Sequence, residues 1–370
     1  MLNRSVLSSK LSNFIFLDIN KDALQKIFNI SLEDSVYLPI RANTIIDEVK
    51  LNNNLEEIPV KCFVEGMYFV IGCDEGFKYV NSYKAIINAN DWCPLTVKAL
   101  IAEYVKNEDY LESYVLLRGL FVTDSDVDIY NKMLWCLNNG LKSNKSYINE
   151  YKDLIDLGKD MQFPMAFFYE SLLYNEEGKY VDALNSLNLY YSYGGSVKAE
   201  VAEYNEKLKL LADLENGKEN VNSNPEYALK LLLPLLEEME TDAFLYYYIA
   251  VAYRNLGVYQ KAIYYLNEAN SIDKDILDVY NELGLNYACL GDFKTAITYF
   301  RKVFEVTRSV EVCTNLIMSY INIGDTKQAK AHLEIAKKID KDDEILKDIE
   351  KLLEGTVKSL WKTSFKTTNK

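Results

Sequence analysis

The residues able to do chemistry are few, and their spacing does not bring them together. His332 is the only histidine in 370 residues, so neither a histidine-based catalytic triad nor a histidine-rich metal site can be assembled. It stands beside Leu333 in a helical pattern and reads as a partly exposed helix residue. The six cysteines, Cys62, Cys73, Cys93, Cys136, Cys289 and Cys313, are scattered without close pairing. They read as free thiols in a reducing compartment rather than as a disulfide framework. Cys73 is followed by Asp74 and Glu75 and has no nearby base, so it reads as a structural thiol and not a nucleophile. The acid pairs Glu176-Glu177 and Glu237-Glu238 fit solvated helix faces better than general acid–base work. There is no phosphate-binding loop, and Gly194-Gly195 suits the end of a helix. No catalytic residue, metal ligand or cofactor is expected, and the chain reads as a non-enzyme.

The elements that would carry any other function show a period. Tyr253, Tyr287 and Tyr320 recur in step with Gly257, Gly291 and Gly324 and with Ala262, Ala296 and Ala329, at intervals of 34 and then 33 residues. Such a period marks stacked helix–turn–helix units. In the middle unit Tyr280, Leu283, Gly284 and Tyr287 share one helical face, and Gly291-Asp292-Phe293 breaks the helix. Ala296, Ile297, Phe300 and Val303 then form the apolar stripe of a second helix, with Ala296 small where the two helices must meet.

On these residues the chain resembles the tetratricopeptide repeat family. The preceding unit keeps Tyr246, Ile249-Ala250, Tyr253, Gly257, Tyr259, Ala262, Leu266 and Ala269. The following unit keeps Leu316, Tyr320, Gly324, Ala329, Leu333 and Ala336, with Cys313 and Thr326 where aromatics are usual. Weaker copies lie upstream, at Phe167, Tyr174, Gly178, Tyr180, Ala183 and Leu187, and at Val97, Leu100, Tyr104, Tyr110, Ser113 and Leu117. Residues 126–160 read as a divergent pair around Ile129, Met133, Trp135, Ile148, Leu154 and Leu157. Residues 197–239 read as a long helix, a polar break over Gly217–Asn224 and a second helix opened by Pro225. The expected fold is therefore mostly α: a solenoid of about seven helix pairs over residues 94–353, closed by a cap helix from Asp343 to Leu353.

The resemblance implies a non-catalytic scaffold that binds a partner peptide or protein in a concave groove lined by the first helix of each pair. The residues expected to face that groove are Phe168, Leu172, Phe244, Tyr247, Val251, Arg254, Asn255, Asn281, Leu285, Met318 and Asn322. Many such domains clamp an acidic chain terminus with lysines, arginine and asparagines; here Asn281 and Asn322 lack the lysines, so that ligand is not expected. A groove of this composition suits an extended or helical peptide held by apolar anchors and amide hydrogen bonds. The alternative is a peptide-responsive cytoplasmic regulator whose solenoid changes conformation on binding. Regulators of that kind usually open with a helix-turn-helix or a helical bundle, which residues 1–90 do not resemble.

Before residue 90 the helical period fails. Asp22–Phe28 and Thr44–Leu51 read as short helices, Val36–Ile40 and Val60–Val64 as strands, and Cys62–Ile71 as a hairpin turning at Glu65-Gly66. Phe77, Val80, Tyr83, Ile86 and Ile87 return to helical spacing, so residues 1–90 read as a small α+β domain. Over residues 35–90 this order distantly resembles the ParB/sulfiredoxin-like fold. That family places basic residues after the hairpin to contact nucleotide phosphate. Gly72-Cys73-Asp74-Glu75-Gly76 places acids there, which repel phosphate, so the nucleotide chemistry is expected to be lost.

Bulk composition points the same way. Hydrophobic residues at 49%, 29 tyrosines and only 6 prolines suit packed helix pairs and exclude global disorder. A formal charge of −14 disfavours non-specific binding to nucleic acid or anionic membrane. The apolar run Phe14–Leu17 ends at Asp18, too short for a signal peptide, and no run is long enough to span a bilayer. A cytoplasmic protein is expected. Residues 355–370 carry Lys358, Lys362, Lys366 and Lys370 with no acid, beside Leu360, Trp361 and Phe365, and residues 354–370 read as a basic, disordered tail.

Overall fold

The computed structural model describes residues 4–32, 35–43 and 58–353. The expected helix at Thr44–Leu51 and the basic tail lie outside them. The fold is mostly α, with one two-stranded sheet near the N-terminus among the described residues. Two compact units divide at Ala202/Glu203. Among the described residues no helix is long and apolar enough to cross a membrane.

The first unit opens with α1 (Arg4–Ser9), β1 (Phe14–Ile19), α2 (Lys21–Phe28) and β2 (Val36–Arg41). The strands pair antiparallel, Phe14 opposite Arg41 and Ile19 opposite Val36. Asn20 caps α2 by accepting from the Ala23 N–H at 2.8 Å, and Asn29 ends it in the left-handed region at φ 48°. Two strands are marginal alone, and these are backed by α3 (Val60–Cys73), which packs against β2.

Helix α3 overturns the strand expected at Val60–Val64 and the hairpin expected at Cys62–Ile71. Every residue from Cys62 to Cys73 is buried, so the run, apolar but for Glu65, carries no amphipathic period to identify it as a helix. Gly66 is not a turn residue. It permits close approach: a Cβ there would lie 2.0 Å from the Pro39 carbonyl oxygen of β2. The ParB/sulfiredoxin-like resemblance rested on the hairpin and is not supported.

Helix α4 (Val80–Asn88) leads into three helix pairs: α5 (Trp92–Lys106) with α6 (Tyr110–Thr123), α7 (Val127–Gly140) with α8 (Ile148–Asp160), and α9 (Pro164–Glu176) with α10 (Tyr180–Ser192). Helix α6 packs on α3 at a crossing where a Cβ on Gly119 would lie 1.9 Å from the Tyr68 carbonyl oxygen. A single hydrophobic core runs from Leu7 to Tyr169. It does not divide near residue 90, because α3 belongs to the sheet and to the first helix pair at once. Within it Arg41 ion-pairs with Glu65 (2.7 Å) and Glu112 (2.7 Å), and Lys10 also pairs with Glu112.

The second unit holds most of α11 (Ala199–Asn220), then α12 (Pro225–Leu232) and a 3-10 turn over Leu233–Glu237. Helix α11 runs through Gly217, so the polar break expected from that residue is shorter than expected. A Cβ on Gly217 would meet the Leu232 side chain at 2.4 Å, a close approach between α11 and α12. Three regular pairs follow: α13 (Ala243–Asn255) with α14 (Tyr259–Ile272), α15 (Leu277–Cys289) with α16 (Phe293–Thr307), and α17 (Val310–Asn322) with α18 (Thr326–Ile339). Helix α19 (Glu344–Leu353) closes them, burying Leu346 and Ile349.

The recurring residues have distinct duties. Gly257, Gly291 and Gly324 end the first helices at φ 74°, 82° and 80°, the left-handed C-cap geometry that glycine adopts without strain. Ala262, Ala296 and Ala329 are fully buried in the second helices. The tyrosines stack: Tyr253 on Tyr265 (5.5 Å, 8°) and Tyr287 on Tyr299 (5.7 Å, 10°). In the third pair Tyr320 meets His332 at 5.1 Å, so the only histidine occupies the place of Tyr265 and Tyr299.

Candidate partner-binding surface

In the second unit the first helices α13, α15 and α17 place equivalent positions in register. Phe244, Asp278 and Glu311 form one row, and Tyr247, Asn281 and Thr314 the next, each spaced by 34 and then 33 residues. Phe244 lies in the first turn of α13, where Asp242 Oδ1 accepts from the Phe244 and Leu245 N–H groups at 2.9 and 3.2 Å. Its ring is 45% exposed. Tyr247 is half-buried and packs between two hydrophobic clusters. Burial, with the Glu282 and Asp278 carboxylates nearby, pushes its hydroxyl pKa up. That coupling places Tyr247 of α13 beside the acids of α15.

The remaining expected residues separate by environment. Val251 and Leu285 are core, 5% and 3% exposed. Arg254 Nε ion-pairs with Glu282 Oε2 at 2.6 Å, joining α13 to α15. Asn255 is used internally, donating to the Val221 carbonyl at 2.7 Å and to Asn222 Oδ1 at 2.9 Å. Asn322 donates to the Met318 carbonyl of its own helix at 2.8 Å, and Met318 is half-buried against the core. Phe168 and Leu172 belong to the first unit, half-buried against its core. Phe244 and Asn281 are left. Asn281 Oδ1 is buried without a hydrogen-bond partner among the described residues.

The structure adds residues that the sequence reading missed. Glu282 is 6% exposed and Asn286 fully buried. Burial pushes the Glu282 carboxyl above the usual range, against the opposing pull of Arg254. Asn286 donates to the Glu282 carbonyl at 2.8 Å, while its Oδ1 is unpaired. A cleft of about 390 Å³ opens at the start of α17, lined by Ser309, Val310, Glu311, Thr314, Asn315, Asp343 and Ile345. Glu311 and Thr314 could have been found by carrying Asp278 and Asn281 forward one period. Asp242, Asp278 and Glu311 stand at the starts of the three first helices, Asp343 joins Glu311 at the cleft, and Glu282 is taken by the buried Arg254. This face is rich in hydrogen-bond acceptors and poor in donors.

No group of His, Cys, Asp and Glu arranged to hold a metal ion occurs among the described residues. His332 Nδ1 lies 2.9 Å from the Gln328 carbonyl of its own helix, so the ring is committed to that contact and to Tyr320.

Comparison with known proteins bears on the repeats. Tetratricopeptide repeat models match residues 245–271 and 277–309, so the chain contains tetratricopeptide repeats there. No curated protein matches. Among solved structures, MamA is 19% identical, covering 47% of this chain and 90% of its own at a TM-score of 0.37. YrrB, described as a TPR protein with an unusual peptide-binding site, is 16% identical, covering 53% and 96% at 0.38. The C-terminal part of a TPR repeat-containing protein from Cytophaga hutchinsonii is 16% identical, covering 68% and 98% at 0.41. At these values the likenesses add nothing to the repeat matches.

Proposed function

We propose that this chain is a non-catalytic interaction module that holds a partner segment on the first-helix face of its C-terminal repeats. One observation supports this most directly. Phe244, Asp278 and Glu311 set an exposed aromatic and two carboxylates in one row across three successive first helices, and in the next row Asn281 holds an unpaired amide oxygen. Buried acceptors without donors are costly, and a ligand supplying N–H groups would offset that cost. The partner is then a peptide segment with basic side chains or free backbone N–H groups, carrying an apolar residue to cover Phe244. This charge pattern is the reverse of what an acidic chain terminus requires. Cys73, Cys93, Cys136, Cys289 and Cys313, none of them in a disulfide, fit a cytoplasmic setting for the module.

The test is an array of twelve-residue peptides permuted in charge and aromatic content, probed with the full chain. Enrichment of basic peptides with an aromatic residue is expected. Phe244→Ala and the double change Asp278→Asn with Glu311→Gln should each weaken the retained peptides about tenfold or more with an unchanged melting temperature. Retention of the same peptides by both variants would move the binding surface elsewhere.

A further inference from the structure

The first unit carries a second surface of opposite character. A cleft of about 300 Å³ opens between α5 and α7. Ile101, Ala102 and Val105 of α5 and Ile129 and Trp135 of α7 form its walls, with Leu117 and Leu120 of α6 as its floor. The wall residues on α5 fall one helical turn apart, as do Ile129, Lys132 and Cys136 on α7, so two helix faces look at each other across an apolar slot. The indole of Trp135 is 42% exposed at its rim and meets Tyr110 edge-on at 5.3 Å. Helix α5 is apolar on more than its packed side, with Leu95 69% exposed.

The only charged residues lining the cleft are Lys98 on one wall and Lys132 on the other. Both are exposed, and among the described residues neither makes an ion pair. Two unpaired cations flanking an apolar slot, in a chain of net charge −14, match a ligand that is apolar at its centre and anionic at its edges. An exposed tryptophan at the rim has the form of an interface anchor.

From this we infer that the α5/α7 cleft is a second docking site, for an acidic amphipathic segment of a partner protein whose apolar side chains enter the slot and whose carboxylates meet Lys98 and Lys132. Helix-in-groove recognition requires this arrangement of an apolar channel with charged rims. Charge at the rims selects the partner and speeds its arrival. The site is separate from the acidic face of the C-terminal repeats and does not depend on it.

Trp135 supplies the readout. In the full chain with Trp92→Phe and Trp361→Phe it is the sole tryptophan. The probes are two blocked fourteen-residue peptides with leucine at helical spacing, one with glutamate and one with lysine at every other position. The glutamate peptide should give a saturable blue shift of Trp135 that weakens with salt, and the lysine peptide should give none. Lys98→Glu with Lys132→Glu should weaken the glutamate peptide about tenfold or more and transfer the response to the lysine peptide. Should that variant fold poorly, Ala102→Phe, which fills the slot from an exposed position, should abolish the shift with the lysines intact. Equal response to both peptides, no response to either, or an unchanged preference after charge reversal would overturn the inference. So would a saturable shift with dodecanoate but not with the glutamate peptide, which would make the slot a site for small amphiphiles.

Discussion

The ring of Tyr320 lies 5.1 Å from the ring of His332, the place at which Tyr287 meets Tyr299 and Tyr253 meets Tyr265 in the two preceding repeats. The lone histidine is therefore a packing residue in a row of paired aromatics. His332→Tyr should be tolerated, within about 1 kcal/mol, whereas His332→Ala should lose roughly 1 kcal/mol beyond its area burial. Urea denaturation of the two variants checks this; equal losses would mean that the ring pair contributes nothing.

Arg254 and Glu282 join adjacent repeats through one ion pair, with each side chain 9% exposed. Removing one partner strands a buried charge, so Arg254→Met alone should cost about 3 kcal/mol. The double change Arg254→Met with Glu282→Leu should recover most of that loss, because two apolar residues need no partner. A double-mutant cycle by chemical denaturation measures the coupling, and additive losses would refute it.

Close packing between paired helices can be probed from both sides. A Cβ at Gly284 would lie 2.5 Å from the ring of Phe300, and Ala296 is fully buried. Gly284→Ala and Ala296→Phe should each destabilise by about 1–3 kcal/mol through overpacking. Tyr247→Ala should also lose stability, because that ring packs between two clusters. Melting temperatures separate these variants from Phe244→Ala, which should melt like the parent.

Acid should loosen the first unit through Glu112. Burial pushes its carboxyl up, but Arg41 at 2.7 Å and Lys10 outweigh burial and hold it below the ordinary range. The folded state then binds fewer protons than the unfolded chain in acid. Its stabilising contribution is complete above the unfolded carboxyl value and is lost as pH falls through the depressed folded value. Denaturation midpoints should decline below about pH 4.5, and Glu112→Gln should shrink that decline while lowering stability at neutral pH. An unaltered pH profile in the variant would show that Glu112 is not the group responsible.

Thiol reactivity should divide five to one. Burial pushes Cys73, Cys93 and Cys136 up to about 12 and Cys313 to about 11, and Cys62 is also buried. Cys289 is the one exposed thiol of the six. Ellman's reagent at pH 8 should modify one thiol per native chain, lost in Cys289→Ser, and the other five only on unfolding. Several fast thiols would contradict the packing around the buried ones.

The C-terminal repeats were legible in the sequence because each duty there falls on one residue type at a fixed interval. A left-handed turn requires Gly257, Gly291 and Gly324, and a close helix contact requires Ala262, Ala296 and Ala329. Local geometry and nearest-neighbour packing set both demands, so the period survives in the chain itself. The same period gave Phe244 and Asn281 as residues of the first-helix, groove-lining face. It could not show that Val251 and Leu285 turn inward, or that Arg254 is taken by Glu282, because those outcomes depend on the neighbouring repeat. Only tertiary structure decided the N-terminal part. Helix α3 is buried from Cys62 to Cys73 against β2, α5 and α6, and its one buried charge, Glu65, faces Arg41 rather than solvent, so no polar period marks the run and strand and helix are indistinguishable until its neighbours are in place.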